Sequence, residues 1–154
     1  MAIKYYWEDF TTGRVFETAA RALSEEDIVR FASEYDPQSY HTDAEAARSS
    51  PFDGLIASGW QTSSLCMRML CDQYLLEAAS MGSPGVDEVR WVKPVRPGDT
   101  LRLKKIVLET RASKSRPEMG TVRSRSELYN QHGELVMHMS GVGMFRRREP
   151  DAKS

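Results

Sequence analysis

The chain has 154 residues, and its 21 Lys and Arg residues nearly balance its 22 Asp and Glu residues, for a formal net charge of −1. This balance argues against a general nucleic-acid-binding protein, which usually carries a basic excess. No apolar run reaches the roughly 20 residues that cross a bilayer, and the N-terminus turns polar too early for a secretory signal peptide. We therefore expect a cytoplasmic protein with one domain over residues 1–147 and a charged, disordered tail over residues 148–154.

The first part of the chain is predicted to contain one strand and two helices. Residues 15–23 alternate loosely between apolar and polar side chains and are predicted to form the strand. Ser24 is a typical N-cap, and the acidic residues after it favour the positive end of the helix that follows. Asp36 ends that helix, because a residue before proline disfavours the α region. Asp43 then opens a short helix over residues 44–48.

A long apolar helix and four strands are predicted for the rest of the chain. The helix covers residues 58–79 and is apolar almost all round, so we expect it to be buried. A slip in the strand alternation at Lys104 and Lys105 indicates a β-bulge. Because a curved sheet is the natural cover for such a helix, the predicted fold class is α+β with the hot-dog architecture, a long central helix wrapped by a curved antiparallel sheet. The predicted strands are 86–94, 100–113, 120–130 and 134–147.

The segment after the first predicted helix contains the residues most typical of chemistry. Asp36 and His41 lie five residues apart on one predicted loop. A carboxylate and an imidazole placed in this way can hold one water molecule and move protons at neutral pH. The residues leave a structural alternative open, in which Asp36 is a helix-ending turn residue and His41 is an ordinary loop histidine.

The other cysteines and histidines are predicted to be structural. Cys66 and Cys71 share one predicted helix at a spacing that suits neither a redox pair nor a zinc site, so we expect two small apolar side chains. His132 falls in a predicted hairpin turn and is expected to face solvent, and His138 lies on the last predicted strand. We therefore expect neither a metal ion nor a redox cofactor.

Two further segments, read together with the Asp36 and His41 loop, carry a family resemblance. They are residues 51–60, with the sequence PFDGLIASGW, and residues 92–101, with the sequence VKPVRPGDTL. Over most of residues 10–147 the chain resembles the MaoC-like dehydratases, the group that includes the R-specific enoyl-CoA hydratases. The resemblance supports the hot-dog architecture that the pattern of elements predicts.

The resemblance implies roles for particular residues. Asp36 and His41 match the catalytic acid–base dyad of the family, and Gly59 matches the glycine whose backbone N–H polarises the thioester carbonyl. Ser58 stands where the hydratases usually carry a histidine and Trp60 where they often carry a methionine. We expect both of these residues, together with Tyr40, to line the acyl pocket. The basic candidates for the phosphates of coenzyme A are Arg48, Lys93, Arg96, Lys104 and Lys105.

Three functions remain open. The resemblance implies a hydro-lyase that adds water to a 2-enoyl thioester of coenzyme A or an acyl carrier protein, or removes it from the 3-hydroxyacyl product, and that forms a homodimer or larger homo-oligomer. A hot-dog acyl-CoA thioesterase would instead use a carboxylate on the long helix, where Asp72 and Glu77 lie far from the helix start. A non-catalytic acyl-CoA-binding module would keep the pocket without turnover.

Overall fold

A computed structural model describes residues 2–150 and contains four α-helices and six β-strands. Two short 3-10 turns, Trp7–Asp9 and Leu75–Glu77, accompany them. Among the described residues, no helix has both the length and the apolar character needed to cross a membrane. The helices are α1 (Glu25–Tyr35), α2 (Ser39–Thr42), α3 (Ala44–Arg48) and α4 (Gly59–Gln73), and the strands are β1 (Val15–Glu17), β2 (Arg21–Ala22), β3 (Gly85–Trp91), β4 (Thr100–Ala112), β5 (Met119–Tyr129) and β6 (Leu135–Arg146).

All strands belong to one antiparallel sheet with the order β1-β4-β5-β6-β3, and β2 also pairs with β4. The buried side chains of this sheet and of α4 form one hydrophobic core. The predicted α+β hot-dog fold is therefore confirmed. The predicted first strand is divided into β1 and β2 by Thr18. Its backbone N–H donates to the carbonyl of Leu103, whereas the N–H of Leu103 donates to the Thr18 hydroxyl, so that a side-chain acceptor interrupts the regular pairing.

The predicted bulge at Lys104 and Lys105 is wrong. Strand β4 pairs in regular register through Val107, and the register against β5 shifts between Val107 and Glu109. Because the alternation continues up to that point, Lys105 falls on the same inner face as Leu103 and Val107. Leu108, at the bulge, is left half exposed instead.

Helix α4 is shorter and less buried than the apolar pattern predicts. It ends at Gln73, because Tyr74 adopts a backbone φ of −155° that leaves the helical region. One face of α4 packs against the sheet through Cys66, Met69 and Leu70. The opposite side is open, so that Trp60 is 60% exposed. The prediction of a helix buried all round was therefore wrong, because the sheet covers one face only.

Local capping signals in the sequence correspond to real helix starts. Ser24 accepts a hydrogen bond from the amide of Asp27, and Asp43 accepts bonds from the first amides of α3.

The predicted C-terminal tail is described in part. The Arg148 guanidinium pairs with Asp9, and residues 151–154 of the predicted tail lie outside the described residues.

Candidate active site

Asp36 lies at the junction between α1 and the segment that leads to α2. Its backbone N–H donates to the carbonyl of Ala32 and completes the last turn of α1, while its own φ of −154° takes the chain out of the helix. Pro37 prevents the helix from continuing. His41 does not lie on a loop, as predicted, but on the single helical turn of α2. That turn directs the imidazole back toward Asp36.

The two side chains form a close pair. His41 Nε2 lies 3.2 Å from Asp36 Oδ2, and the exposed fractions of the two side chains are 6% and 16%. His41 Nδ1 lies 2.7 Å from the carbonyl oxygen of Ile56. Because a carbonyl oxygen can only accept, we assign the proton to Nδ1, which fixes the tautomer of the neutral ring. Nε2 is then the nitrogen that faces Asp36 and can exchange a proton.

Further hydrogen bonds hold the Asp36 carboxylate in place. Ser58 Oγ donates to Asp36 Oδ2 at 2.8 Å, and Gln38 Nε2 donates to Asp36 Oδ1 at 2.7 Å. The amide of Gln38 is oriented in turn by the hydroxyl of Tyr40, which donates to Gln38 Oε1 at 2.6 Å. Both carboxylate oxygens therefore have donors, and the carboxylate cannot rotate without breaking one of these bonds.

These contacts determine the charge of Asp36. Burial of the carboxyl is the largest single influence and raises its pKa, whereas hydrogen bonds from Gln38 and Ser58 and the proximity of His41 lower it. The net effect is a pKa below the ordinary value of an aspartate. Asp36 is therefore a carboxylate at neutral pH.

Ser58 links the dyad to the start of α4. The residue is completely buried, and its hydroxyl accepts a hydrogen bond from the amide of Trp60, so that it is the N-cap of α4. The same hydroxyl donates to Asp36. One side chain therefore starts the central helix and orients the carboxylate, which ties the position of Asp36 to that of α4.

Gly59 is the first residue of α4, and its backbone N–H has no acceptor among residues 2–150. The first amides of a helix are free donors and lie at the positive end of the helix dipole. A Cβ atom at this position would lie 2.4 Å from the indole ring of Trp91, so that any side chain here would force the indole to move. The close contact with Trp91 thus favours glycine, and the free amide remains next to the dyad.

A cavity of about 440 Å³ opens beside these groups. Tyr40 and Trp60 both line it, and the indole of Trp60 packs edge-on against Trp91 with ring centroids 5.1 Å apart. Trp60 is mostly exposed, so that it forms part of the wall at the mouth and not part of the core. Ser58 does not line the cavity, but its hydroxyl donates to Asp36, which does.

Sequence reasoning missed three participants of this site, which are Gln38, Ile56 and Trp91. Gln38 lies between Asp36 and His41 in the sequence, and this position is the one feature that could have indicated its role in the site. Ile56 contributes a backbone carbonyl, which no residue type reveals. Trp91 reaches the site from β3, because the sheet brings this strand next to the start of α4.

The basic candidates are not gathered around the cavity. Lys93 lines it and pairs with Glu134, and the Arg96 guanidinium donates to the carbonyl of Phe52. Arg48 pairs with Glu45 on the surface, and Lys105 points into the space behind α4, away from the dyad.

The remaining cysteines and histidines lie outside the site. Burial raises the pKa of the Cys66 thiol to about 11, so that it is a protonated thiol at neutral pH. His132 is exposed in its turn, and the buried Nδ1 atom of His138 has no hydrogen-bond partner among the described residues. Residues 2–150 contain no group of three or more His, Cys, Asp or Glu side chains that could hold a metal ion.

Several known proteins resemble this chain. A family model described as MaoC like domain matches residues 9–128. The uncharacterized protein YdeM of Bacillus subtilis is 33% identical over 124 residues, which are 80% of this chain and 86% of that protein. The mesaconyl-CoA hydratase of Cereibacter sphaeroides is 40% identical over 68 residues, which are 44% of this chain and 20% of that protein.

The solved structures agree with the sequence relatives. The crystal structure of the MaoC-like dehydratase from Rhodospirillum rubrum superposes with a TM-score of 0.87 at 39% identity, and the match covers 94% of this chain and 99% of that chain. The residues that match the family model, 9–128, include Asp36, His41 and Gly59. The chain belongs to the MaoC-like dehydratase family.

Proposed function

We propose that this protein adds water to a 2-enoyl thioester of coenzyme A, or removes water from the 3-hydroxyacyl thioester, with Asp36 and His41 as the acid–base pair. The observation that carries the proposal is the 3.2 Å contact between His41 Nε2 and Asp36 Oδ2 at the wall of a cavity that also reaches Gly59. The support is geometric, because the three groups that hydration requires meet in one place.

The proposed reaction transfers one water molecule. The oxygen of a water molecule held between Asp36 and His41 Nε2 bonds to C3 of the enoyl group, and one of its protons stays on the new hydroxyl. The other proton passes through the dyad to C2, so that no proton is gained or lost overall. Acid–base groups in such positions typically contribute about 10²–10⁴-fold in rate.

The negative charge that develops on the thioester oxygen needs a donor. The free N–H of Gly59 is suited to this role, because it lies at the positive end of α4 and next to the dyad. The absence of a side chain at Gly59 also allows a substrate to approach the backbone closely. The site as proposed needs no metal ion or redox cofactor.

The relatives support the thioester substrate. One of them is named mesaconyl-CoA hydratase, and its match to this chain reaches 40% identity over 68 residues. We extend the activity in that name to this chain as part of the proposal, with either coenzyme A or an acyl carrier protein as the thiol component.

The thioesterase alternative finds less support in the geometry. Asp72 lies on the exposed side of α4 and is bound by Arg68 and Arg21, and Glu77 pairs with Lys4. Both carboxylates lie at the opposite end of α4 from Gly59 and line neither the dyad cavity nor its mouth. A binding module without turnover would not need the ordered carboxylate of Asp36.

Incubation of the purified protein with crotonyl-CoA separates these functions. For a hydro-lyase we expect the enoyl absorbance to fall while no free thiol appears. Release of free coenzyme A would instead show hydrolysis, and saturable binding with neither change would show a binding module. Either of the last two results would contradict the proposed function.

We further propose that the protein forms a homodimer through its exposed edge strand. Within residues 2–150, β3 pairs with β6 on one side and leaves its other edge unpaired. Val86, Trp91 and Val92 on this edge are each between 44% and 56% exposed, and Trp60 and Met67 of α4 extend the apolar surface. An unpaired apolar edge of this kind favours association with another copy.

The dimer is tested by light scattering of the purified protein. We expect a mass twice that of the chain, and we expect Val86→Lys to shift the mass toward that of the monomer because it places a charge in the proposed interface. Lys114→Glu, on an exposed connection away from β3, is the control and should leave the mass unchanged. A monomer mass for the unmodified protein would contradict the proposal.

A further inference from the structure

The amide that is proposed to face the thioester oxygen belongs to the residue type with the least restrained backbone. Gly59 is the first residue of α4, where the backbone N–H groups lack the acceptors that hold them further along a helix. A glycine has no Cβ atom and therefore reaches more backbone conformations than any other residue. A donor that stabilises a developing charge must nevertheless be oriented before the substrate arrives. Contacts from other residues therefore have to hold Gly59 in place.

The peptide group between Gly59 and Trp60 is held at both ends by serine hydroxyls. The N–H of Trp60 donates to Ser58 Oγ at 3.2 Å, and Ser63 Oγ donates to the carbonyl oxygen of Gly59 at 3.0 Å. This peptide group shares the Cα atom of Gly59 with the peptide group that carries the free N–H. Fixing the one therefore limits the movement of the other.

A tryptophan of β3 holds the Ser63 hydroxyl in turn. Trp91 Nε1 donates to Ser63 Oγ at 3.2 Å, and the sulfur of the fully buried Met137 on β6 lies 3.5 Å from the same oxygen. The hydroxyl thus accepts one hydrogen bond and donates another, which uses it in both directions. Through this one side chain, the first turn of α4 is tied to two strands of the sheet.

The ring of the same tryptophan lies against Gly59. The space that a Cβ atom of Gly59 would occupy is filled by the indole, 2.4 Å from Cδ2 and Cε2 of Trp91. Trp91 is itself held in place, because it pairs with Met137 in the register of β3 and β6 and packs edge-on against Trp60. Trp91 therefore restrains Gly59 twice, directly through its ring and indirectly through Ser63.

The next serine of α4 shows what the indole adds. Ser64 Oγ donates to the carbonyl of Trp60 at 2.8 Å, so that it also bonds to the carbonyl four residues earlier, as Ser63 does. Such bonds are common for serine in helices and are local by themselves. Ser64 is exposed, whereas Ser63 is partly buried and bonds to an indole from the sheet. The link to a second element distinguishes Ser63 from its neighbour.

We propose that Ser63 and Trp91 are positioning residues, which hold the Gly59 N–H toward the thioester oxygen through the hydrogen bonds from Trp91 Nε1 to Ser63 Oγ and from Ser63 Oγ to the Gly59 carbonyl. This positioning rests on the proposed role of Gly59 as the donor to the thioester. The Asp36 carboxylate is held by a different set of bonds, which come from Gln38 and Ser58. The two residues therefore act on the polarisation of the carbonyl and not on the transfer of protons.

The kinetic test compares Ser63→Ala with Ser64→Ala in the full chain. Ser63→Ala breaks the link at its centre, and we expect kcat for crotonyl-CoA hydration to fall about two- to tenfold, which is the usual effect of one neutral hydrogen bond. KM should change less, because the charge on the thioester oxygen develops only toward the transition state. Ser64→Ala is the matched control and should keep the parental kcat. The acid limb of the pH dependence of kcat/KM should not move in either variant, because it reports the dyad.

Trp91→Phe removes the other end of the link. It deletes the indole N–H but keeps an aromatic ring against Gly59, and we expect a loss of kcat similar to that of Ser63→Ala. Since both substitutions break the same link, the double variant should lose little more than the stronger single variant. We expect Ser63→Ala to stay folded, because alanine suits a helix and Trp91, which is 44% exposed, can donate to water instead. Thermal unfolding checks this expectation.

A spectroscopic measurement reports the Gly59 amide without turnover. Butyryl-CoA carries the same thioester group but has no double bond, so that it cannot be hydrated. When its carbonyl carbon is isotopically labelled, infrared difference spectroscopy records the C=O stretch of the bound molecule. We expect this stretch to move to lower wavenumber in the unmodified protein and in Ser64→Ala, because a donated hydrogen bond weakens the C=O bond. The shift should be smaller in Ser63→Ala.

The proposal is overturned if the bound carbonyl shows no shift in the unmodified protein, if Ser63→Ala gives the same shift, or if Ser64→Ala loses as much kcat as Ser63→Ala. A shift that depends on Ser63 in a protein that does not hydrate crotonyl-CoA would support the positioning and contradict the hydratase function. Hydration by the unmodified protein together with a parental kcat in Ser63→Ala would contradict the positioning alone.

Discussion

Asp36→Asn and His41→Ala are each expected to lower kcat for crotonyl-CoA hydration by roughly 10²–10⁴-fold. The asparagine cannot accept a proton at neutral pH, and the alanine removes the Nε2 atom that lies 3.2 Å from the carboxylate. Since the two groups act on the same water molecule, the double variant should lose little more activity than either single variant. The measurement is the initial rate of loss of the enoyl absorbance at saturating substrate.

Matched controls separate chemistry from folding. His132→Ala removes an exposed histidine in the β5–β6 turn, and Asp72→Asn removes an exposed carboxylate of α4. Both should keep near-parental kcat, and Asp72→Asn tests the thioesterase alternative at the same time. Thermal unfolding should show that the dyad variants stay folded, although His41→Ala leaves the carbonyl of Ile56 without its donor. A folded dyad variant with near-parental turnover would show that the assignment is wrong.

Ser58→Ala is expected to lower kcat roughly tenfold and to move the acid limb of the pH profile to higher pH. Its hydroxyl donates to Asp36 Oδ2, and a hydrogen bond to a charged group contributes about 1.5–3 kcal/mol. The folded-state pKa of Asp36 is lowered, and Ser58 is one of the groups that lower it. Without this donor the pKa rises, so that protonation of Asp36 and loss of activity begin at a higher pH. The pH dependence of kcat/KM measures the shift.

The substitution also removes the N-cap of α4, which by itself costs about 1 kcal/mol of stability. Ser24→Ala is the matched control, because Ser24 caps α1 in the same way but makes no contact with Asp36. It should reduce stability without moving the acid limb. Ser58→Thr retains the hydroxyl and should restore the parental pH profile. An acid limb that is the same in Ser58→Ala and in the unmodified protein would exclude a role of Ser58 in orienting Asp36.

The features that depend on a few neighbouring residues were predictable. Ser24, Asp43 and Ser58 are found as helix caps, because a cap needs one side-chain oxygen and the next amides of the same chain. The long strands of the second half follow from alternation and from turn residues, which are local as well. The spacing of Asp36 and His41 likewise identified two side chains that the structure brings together.

The side chains that depend on packing between distant elements were not predictable in the same way. The inward direction of Lys105 depends on the position of the β4 bulge, which the pairing with β5 sets at Val107 and Glu109. Trp60 is exposed, although the helix pattern predicts a buried residue, because the sheet covers one face of α4 only.

The amino-acid pattern alone was sufficient for the helix caps, the strands and the pair of chemical groups on one segment, because each depends on short-range backbone geometry. Three features required the packed chain: the bond from Ser58 to Asp36, the contact of Trp91 with Gly59, and the bond from Trp91 to Ser63. Each of these joins residues from different elements, and their distances exist only once α1, α4 and the sheet have buried their apolar faces against one another.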